Sequence, residues 1–162
     1  ALDRDVIEEI AALNPAVRVV LMIRNPIDRA WSQAKKDLVR NRGRRFEDVA
    51  EREFVEFFTS EYQRRCAHYV ENYDNWAAAL QPGHLFAGTF DDIERRPEEL
   101  LLEVMTFLGV RSDRRYIARD VGEAVNPTGS SKIPEKHRRF LQDLLAPDLA
   151  ALKERFHLEW KD

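Results

Sequence analysis

A single cysteine, Cys66, in 162 residues excludes an internal disulfide and any cysteine-rich metal site. Glycine is scarce at six residues, and nowhere does a glycine-rich turn end in Lys-Ser or Lys-Thr, so the usual phosphate loop is missing from these residues. The four histidines, at positions 68, 84, 137 and 157, show no metal-ligand spacing and are read as surface or packing residues. No apolar run approaches the ~20 residues of a membrane span, and no signal-peptide pattern opens the chain. Net charge is only −3, from 26 basic and 29 acidic residues, which gives no global attraction to DNA or to an acidic membrane. Neither nucleic acid nor a membrane is therefore expected as a partner. Internal repeats and low-complexity tracts are absent as well.

What is present suits one compact domain over 1–162. Apolar residues make up 44% of the chain, and a domain of this length buries roughly 70% of its unfolded surface. The basic residues are 20 arginines and 6 lysines, a balance that favours bidentate recognition of phosphate or carboxylate. The chain opens on Ala and runs directly into a helical pattern, as a trimmed or processed piece would.

Val6, Ile7, Ile10 and Leu13 fall at helical spacing, and Asn14-Pro15 ends that helix. Residues 17–23, VRVVLMI, are short, β-branched and without alternation, the pattern of a parallel strand buried on both faces. Asn25 then offers an N-cap and Pro26 a first helical position for a helix running to about Asn41. Helices are expected over 46–58 and 61–80, and a second strand over 84–90. A helix opened by Pro97 and stopped by Gly109 comes next. Two closing helices, 135–145 and 149–156, are expected to be separated by Pro147. Two parallel strands are few for a stable sheet, so an upstream segment or a partner chain is expected to complete it.

Arg24-Asn25-Pro26-Ile27-Asp28-Arg29-Ala30-Trp31-Ser32 sits where α/β proteins bind ligands, after the carboxyl end of a buried strand and at a helix start. Helix N-terminal amides favour an anion there, and Arg24 can fork onto phosphate oxygens. Ser32 lies roughly 9 Å along the helix from Pro26, within reach of the same phosphate. The same residues also allow a simpler arrangement, with Arg24 pairing with Asp28 and Ser32 bonding its own backbone.

An apolar strand followed by Arg-x-Pro-x-x-Arg-x-x-Ser resembles the 3′-phosphate-binding segment of sulfotransferases that use 3′-phosphoadenosine-5′-phosphosulfate (PAPS). Arg24, Pro26, Arg29 and Ser32 supply every element of it. Cys66-Ala67-His68-Tyr69 ahead of Trp76 resembles the family's Gly-x-Tyr helix. HLFAGTF with Asp91-Asp92-Ile93 resembles its second strand and acidic turn, and Pro97 through FLGV at 107–110 resembles the helix behind it. VNPTGSSKIP at 125–134 resembles the cofactor-closing loop of the heparan type. The likeness covers about Val17 to the C-terminus.

That resemblance implies an α/β fold of the P-loop-nucleotide type, a parallel sheet flanked by helices, lacking here its first strand, phosphosulfate loop and catalytic base. It implies that Arg24 and Ser32 bind the 3′-phosphate, that Tyr69 approaches the adenosine, and that Ser130, Ser131 and Lys132 close over the phosphates. PAPS would be the sulfuryl donor and 3′-phosphoadenosine-5′-phosphate (PAP) the product, with a small-molecule or glycan hydroxyl or amine as acceptor. No catalytic residue is assigned, and no metal is implied. With one cysteine the chain looks more like a cytoplasmic, bacterial relative than a disulfide-bearing lumenal one. Two other readings stay open: a non-catalytic nucleotide- or partner-binding module of this type, and a P-loop kinase. Residues ahead of Ala1 would discriminate among them.

Trp31 and Trp76 are read as packing residues. Asp91 and Asp92, adjacent on a strand end, point apart and are read as a turn cap rather than an acid/base pair. Lys35, Lys36, Arg40, Arg42, Arg44 and Arg45 form a basic stretch, read as a solvated face that could also meet an anionic acceptor.

Overall fold

The computed structural model describes residues 2–123, 132–158 and 160. Its contacts divide the chain into two units. One comprises Leu2–Arg24 with Glu71–Val125, and the other Asn25–Val70 with Asn126–Asp162.

The first unit holds the sheet. Helix α1 (Arg4–Leu13) buries Ile7 and ends at Asn14. Strand β1 (Val19–Ile23) pairs in parallel with β2 (Leu85–Thr89), in register from Val19↔Leu85 to Ile23↔Thr89. These two strands are the whole sheet among the described residues. Burial along β1 is uneven: Ile23 is 1% exposed but Val20 is 37% exposed. Opposite Met22 sits Gly88, where a Cβ would come within 3.1 Å of the Met22 thioether and the Phe86 ring. The absence of a side chain at Gly88 leaves room for the Met22 thioether against the neighbouring strand.

Helix α5 (Tyr69–Ala79) leads into this unit and buries Trp76. After β2 the chain turns straight into α6 (Phe90–Arg95), capped by the Thr89 hydroxyl, which accepts from the Asp92 amide at 3.2 Å. Where the sequence suggested only a turn, Asp92 therefore lies in a short helix, its carboxylate accepting from Thr89 Oγ1 and Arg96 Nε, each at 2.8 Å. Helix α7 (Pro97–Leu108) starts on its proline and stops at Gly109, whose φ of 73° is the left-handed conformation glycine tolerates. Phe107 on α7 meets Phe86 on β2 with ring centroids 5.5 Å apart. The Arg18 guanidinium donates to the Phe107 carbonyl.

The second unit is helical. Helix α2 (Pro26–Ala34) passes into a π turn over Lys35–Val39 and a 3-10 turn over Arg40–Arg42. Helices α3 (Glu51–Thr59), α4 (Glu61–Arg65) and α8 (Glu135–Phe156) complete it. Its core joins Ile27, Trp31 and Leu38 to Phe54, Phe58, Leu141 and Leu145. Trp31 stacks on Phe54 at 5.7 Å and on His137 at 5.4 Å, and Phe54 lies 4.6 Å from His137. Each large side chain buried this way contributes roughly 1.5–3 kcal/mol, and each aromatic pair about 0.5–1.5 kcal/mol more.

Three expectations about helices change. The helix expected over 46–58 begins only at Glu51, after a 3-10 turn at Phe46–Asp48 and extended residues Val49 and Ala50. The Ala50 amide donates to Glu53 Oε1 at 3.0 Å, fixing that start. The stretch expected over 61–80 is two helices, α4 and α5, parted at Cys66–His68. The two closing helices are one. Pro147 lies inside α8, and its cost of ~3 kcal/mol is offset by Leu141, Leu145 and Leu152, all buried along that helix.

Candidate functional site

The parallel register decides where the motif's first arginine goes. Ile23 pairs with Thr89, so Arg24 and Phe90 leave the carboxyl ends of neighbouring strands side by side. The Arg24 guanidinium lies over the Phe90 ring, 4.4 Å from its centroid. Among the described residues Arg24 makes neither a hydrogen bond nor an ion pair; the simpler pairing with Asp28 is not formed. An aromatic face orients a guanidinium and leaves its charge and donors available.

Next in the chain, Asn25 caps α2. Its Oδ1 accepts from the Ile27 amide at 2.9 Å, and Pro26 occupies the first helical position. The buried residues of α2 are Pro26, Ile27, Ala30, Trp31 and Ala34, which form one face and leave Asp28, Arg29, Ser32 and Gln33 half-buried. The Ser32 hydroxyl makes no hydrogen bond among the described residues. Every other described serine and threonine hydroxyl does, through Val55 and Phe57 carbonyls for Thr59 and Ser60, Asp92 for Thr89, and the Leu102 carbonyl for Thr106 and Ser112. The expected back-bond of a helix serine is thus missing at Ser32 alone.

Tyr69 opens α5, half-buried, just after α4. Helix α4 and the residues just after it are fastened at three points within their unit. Arg29 Nη2 donates to Gln63 Oε1 at 2.9 Å, Arg64 Nη1 donates to the Leu144 carbonyl at 3.1 Å, and His68 Nε2 stands 3.8 Å from Asp148 Oδ1. Lys132 is described and exposed. Ser130 and Ser131 lie outside the described residues.

The remaining chemistry-bearing groups are structural. Trp31 and Trp76 are buried at 3% and 9% exposure. His137 is 6% exposed among aromatic rings, and burial pushes its imidazole below the ordinary histidine range, Glu51 opposing the effect from 3.9 Å. Within the basic stretch Arg42 and Arg44 pair with Glu53, and Arg45 with Asp48. Hydrogen bonds from Arg44 hold the Glu53 carboxyl down at about 2. The Arg96 hydrogen bond likewise holds Asp92 below the usual carboxylate range. Among the described residues no group of His, Cys, Asp and Glu could hold a metal ion, and no helix is long and apolar enough to cross a membrane. A cleft of about 320 Å³ between Ala11, Ala12, Ala79 and Leu80 has one ionisable wall, Glu8, already engaged by Arg4.

Phe90 and Gln63 carry parts of this arrangement that the linear pattern did not mark. Aligning the two expected strands in parallel with their carboxyl ends level would have placed Phe90 beside Arg24. Nothing in the spacing connects Arg29 to Gln63.

Comparison with known proteins agrees with the motif. The profile of the sulfotransferase family matches residues 5–114. A search of curated proteins finds no match. Among solved structures, the crystal structure of a sulfotransferase from Alicyclobacillus acidocaldarius superposes with a TM-score of 0.70 at 22% identity, a likeness of fold. The match covers 97% of this chain and 61% of that one, so the chain spans under two thirds of that neighbour's length.

Proposed function

The chain belongs to the sulfotransferase family, and from that premise we propose that it binds PAPS and takes part in sulfuryl transfer to a hydroxyl or amine of a small molecule or glycan, releasing PAP. The observation that carries this reading is a pair of groups left without protein partners at the strand–helix junction. Arg24 keeps its charge and donors because an aromatic ring, not a carboxylate, orients it. Ser32 keeps a free hydroxyl two turns into the helix that Asn25 and Pro26 begin. A phosphate monoester uses both kinds of donor, and the first-turn amides of α2 add favourable dipoles. Tyr69 is assigned to the adenosine side. Ser130, Ser131 and Lys132 are assigned to closure over the phosphates.

Sulfuryl transfer, like phosphoryl transfer, asks the protein mainly to position reactants in line and to neutralise developing charge. The 162 residues supply donors for the 3′-phosphate. The phosphosulfate loop, the base for the acceptor and further strands of the sheet are assigned to residues outside 1–162, in a single sulfotransferase-like domain. The open two-stranded sheet supports that assignment. One cysteine fits a reducing, cytoplasmic setting.

The experiment is calorimetry on the complete protein with PAP and with adenosine-5′-phosphate. PAP should bind more tightly by roughly 2–4 kcal/mol, the scale of charge-assisted bonds to a 3′-phosphate. Equal affinities would remove the 3′-phosphate role of Arg24 and Ser32.

A further inference from the structure

Arg29 belongs to the same segment, yet the reading above gives it no task. It stands three positions before Ser32 on α2, the spacing that makes two side chains neighbours on a helix surface. Its Nη2 donates to Gln63 Oε1 at 2.9 Å and reaches the Gln63 carbonyl at 3.3 Å. Its Nε is buried without a hydrogen-bond partner, and no carboxylate among the described residues pairs with it. Gln63 is itself 3% exposed.

Half-buried Arg44 of the same unit is treated differently. Arg44 is gripped by both oxygens of Glu53 at 2.7 and 2.9 Å. A glutamate is as long as a glutamine, and at position 63 it would form the same kind of charge-assisted fork with Arg29. The neutral amide instead orients the guanidinium and leaves its charge uncompensated. A partly desolvated cation of this kind is costly unless an anion meets it. On the next turn of the same helix lies the one described serine or threonine hydroxyl without a hydrogen-bond partner, that of Ser32.

We propose that Arg29 is a second cation of the nucleotide phosphate site, oriented by Gln63 without being neutralised, so that its charge acts on a phosphate monoester held at the Ser32 hydroxyl. The proposal rests on the nucleotide reading above and adds to it an electrostatic positioning pair, Arg29 and Gln63.

The test titrates the complete protein with PAP, comparing wild type with Gln63→Glu, Arg29→Gln and Arg29→Lys, beside a thermal melt of each. Gln63→Glu should melt no lower than wild type, since it gains an ion pair, and should weaken PAP binding at least roughly tenfold, because the new carboxylate offsets the Arg29 charge. Arg29→Gln should weaken binding similarly. Arg29→Lys keeps the charge and should stay within about threefold of wild type. A Gln63→Glu protein that is folded and binds PAP like wild type overturns the proposal. Should that variant not fold, equal losses in Arg29→Gln and Arg29→Lys overturn it, and a loss confined to Arg29→Gln supports it. A wild type that does not bind PAP overturns the nucleotide reading itself. Wild-type binding with no charge dependence among the variants overturns only the role of Arg29.

Discussion

Arg24 is held by a ring and not by a charge, and that determines how its substitutions should behave. Arg24→Lys preserves one positive charge but loses both the planar stack on Phe90 and the proposed fork onto phosphate oxygens. It should lose most of the preference for PAP over adenosine-5′-phosphate while the denaturant midpoint hardly moves. Phe90→Leu leaves the guanidinium intact but unoriented, and the weakening should be about 0.5–2 kcal/mol, the range of a cation–π contact. Titration of both nucleotides into each variant checks the pair; a Phe90→Leu protein with unchanged PAP affinity would show that the stack is incidental. A second residue-scale consequence concerns His137. Its folded-state proton affinity is depressed by burial, with Glu51 facing it from α3 and Lys136 beside it on α8. Below the unfolded histidine value of about 6.5 the unfolded chain takes up a proton that the folded chain resists, so stability is complete above that pH and declines as pH falls through it. His137→Phe should fit the ring cluster and flatten this part of the stability–pH curve, measured by denaturant melts between pH 5 and 8. An unchanged slope in that variant would assign the decline to other groups.

At the scale of elements, most of the fold was legible where a start signal, a period and a stop agreed. Strand β1, helix α2 with Asn25 and Pro26, and helix α7 between Pro97 and Gly109 all follow from local residues. Legibility failed where packing overrode a local preference. Pro147 reads as a break because a proline inside a helix forfeits one hydrogen bond, yet Leu141, Leu145 and Leu152 keep α8 whole. The start of α3 is hidden in the sequence because Phe46 and Val49 extend an apolar period through a segment that is a 3-10 turn followed by extended backbone. The candidate site divides the same way. Arg24 to Ser32 is a contiguous motif, and its spacing is visible in one line of sequence. Phe90 enters through strand register, and Gln63 through a contact 34 residues away, so neither leaves a trace in spacing.

For the molecule as a whole, the open sheet sets the main constraint. A pair of parallel strands with Val20 at 37% exposure presents backbone donors and acceptors along its free edge, a template for unwanted pairing. The isolated 162 residues should therefore be poorly soluble or melt over a broad range, and the complete protein sharply. A sharp, reversible, concentration-independent transition of the isolated chain in calorimetry would show that no further strands are needed. The division into units has another consequence, in the order of assembly. The helical unit is drawn from both sides of an intervening stretch, Glu71–Val125, and its core needs Leu141 and Leu145 as well as Trp31 and Phe54. Arg64 reaches the Leu144 carbonyl across 80 residues of sequence. Closing a loop of that length must precede any reward from the contacts it permits. During synthesis, α2, α3 and α4 therefore leave the ribosome with their aromatic faces uncovered and wait for α8. In that interval the uncovered aromatic faces are open to aggregation until α8 arrives.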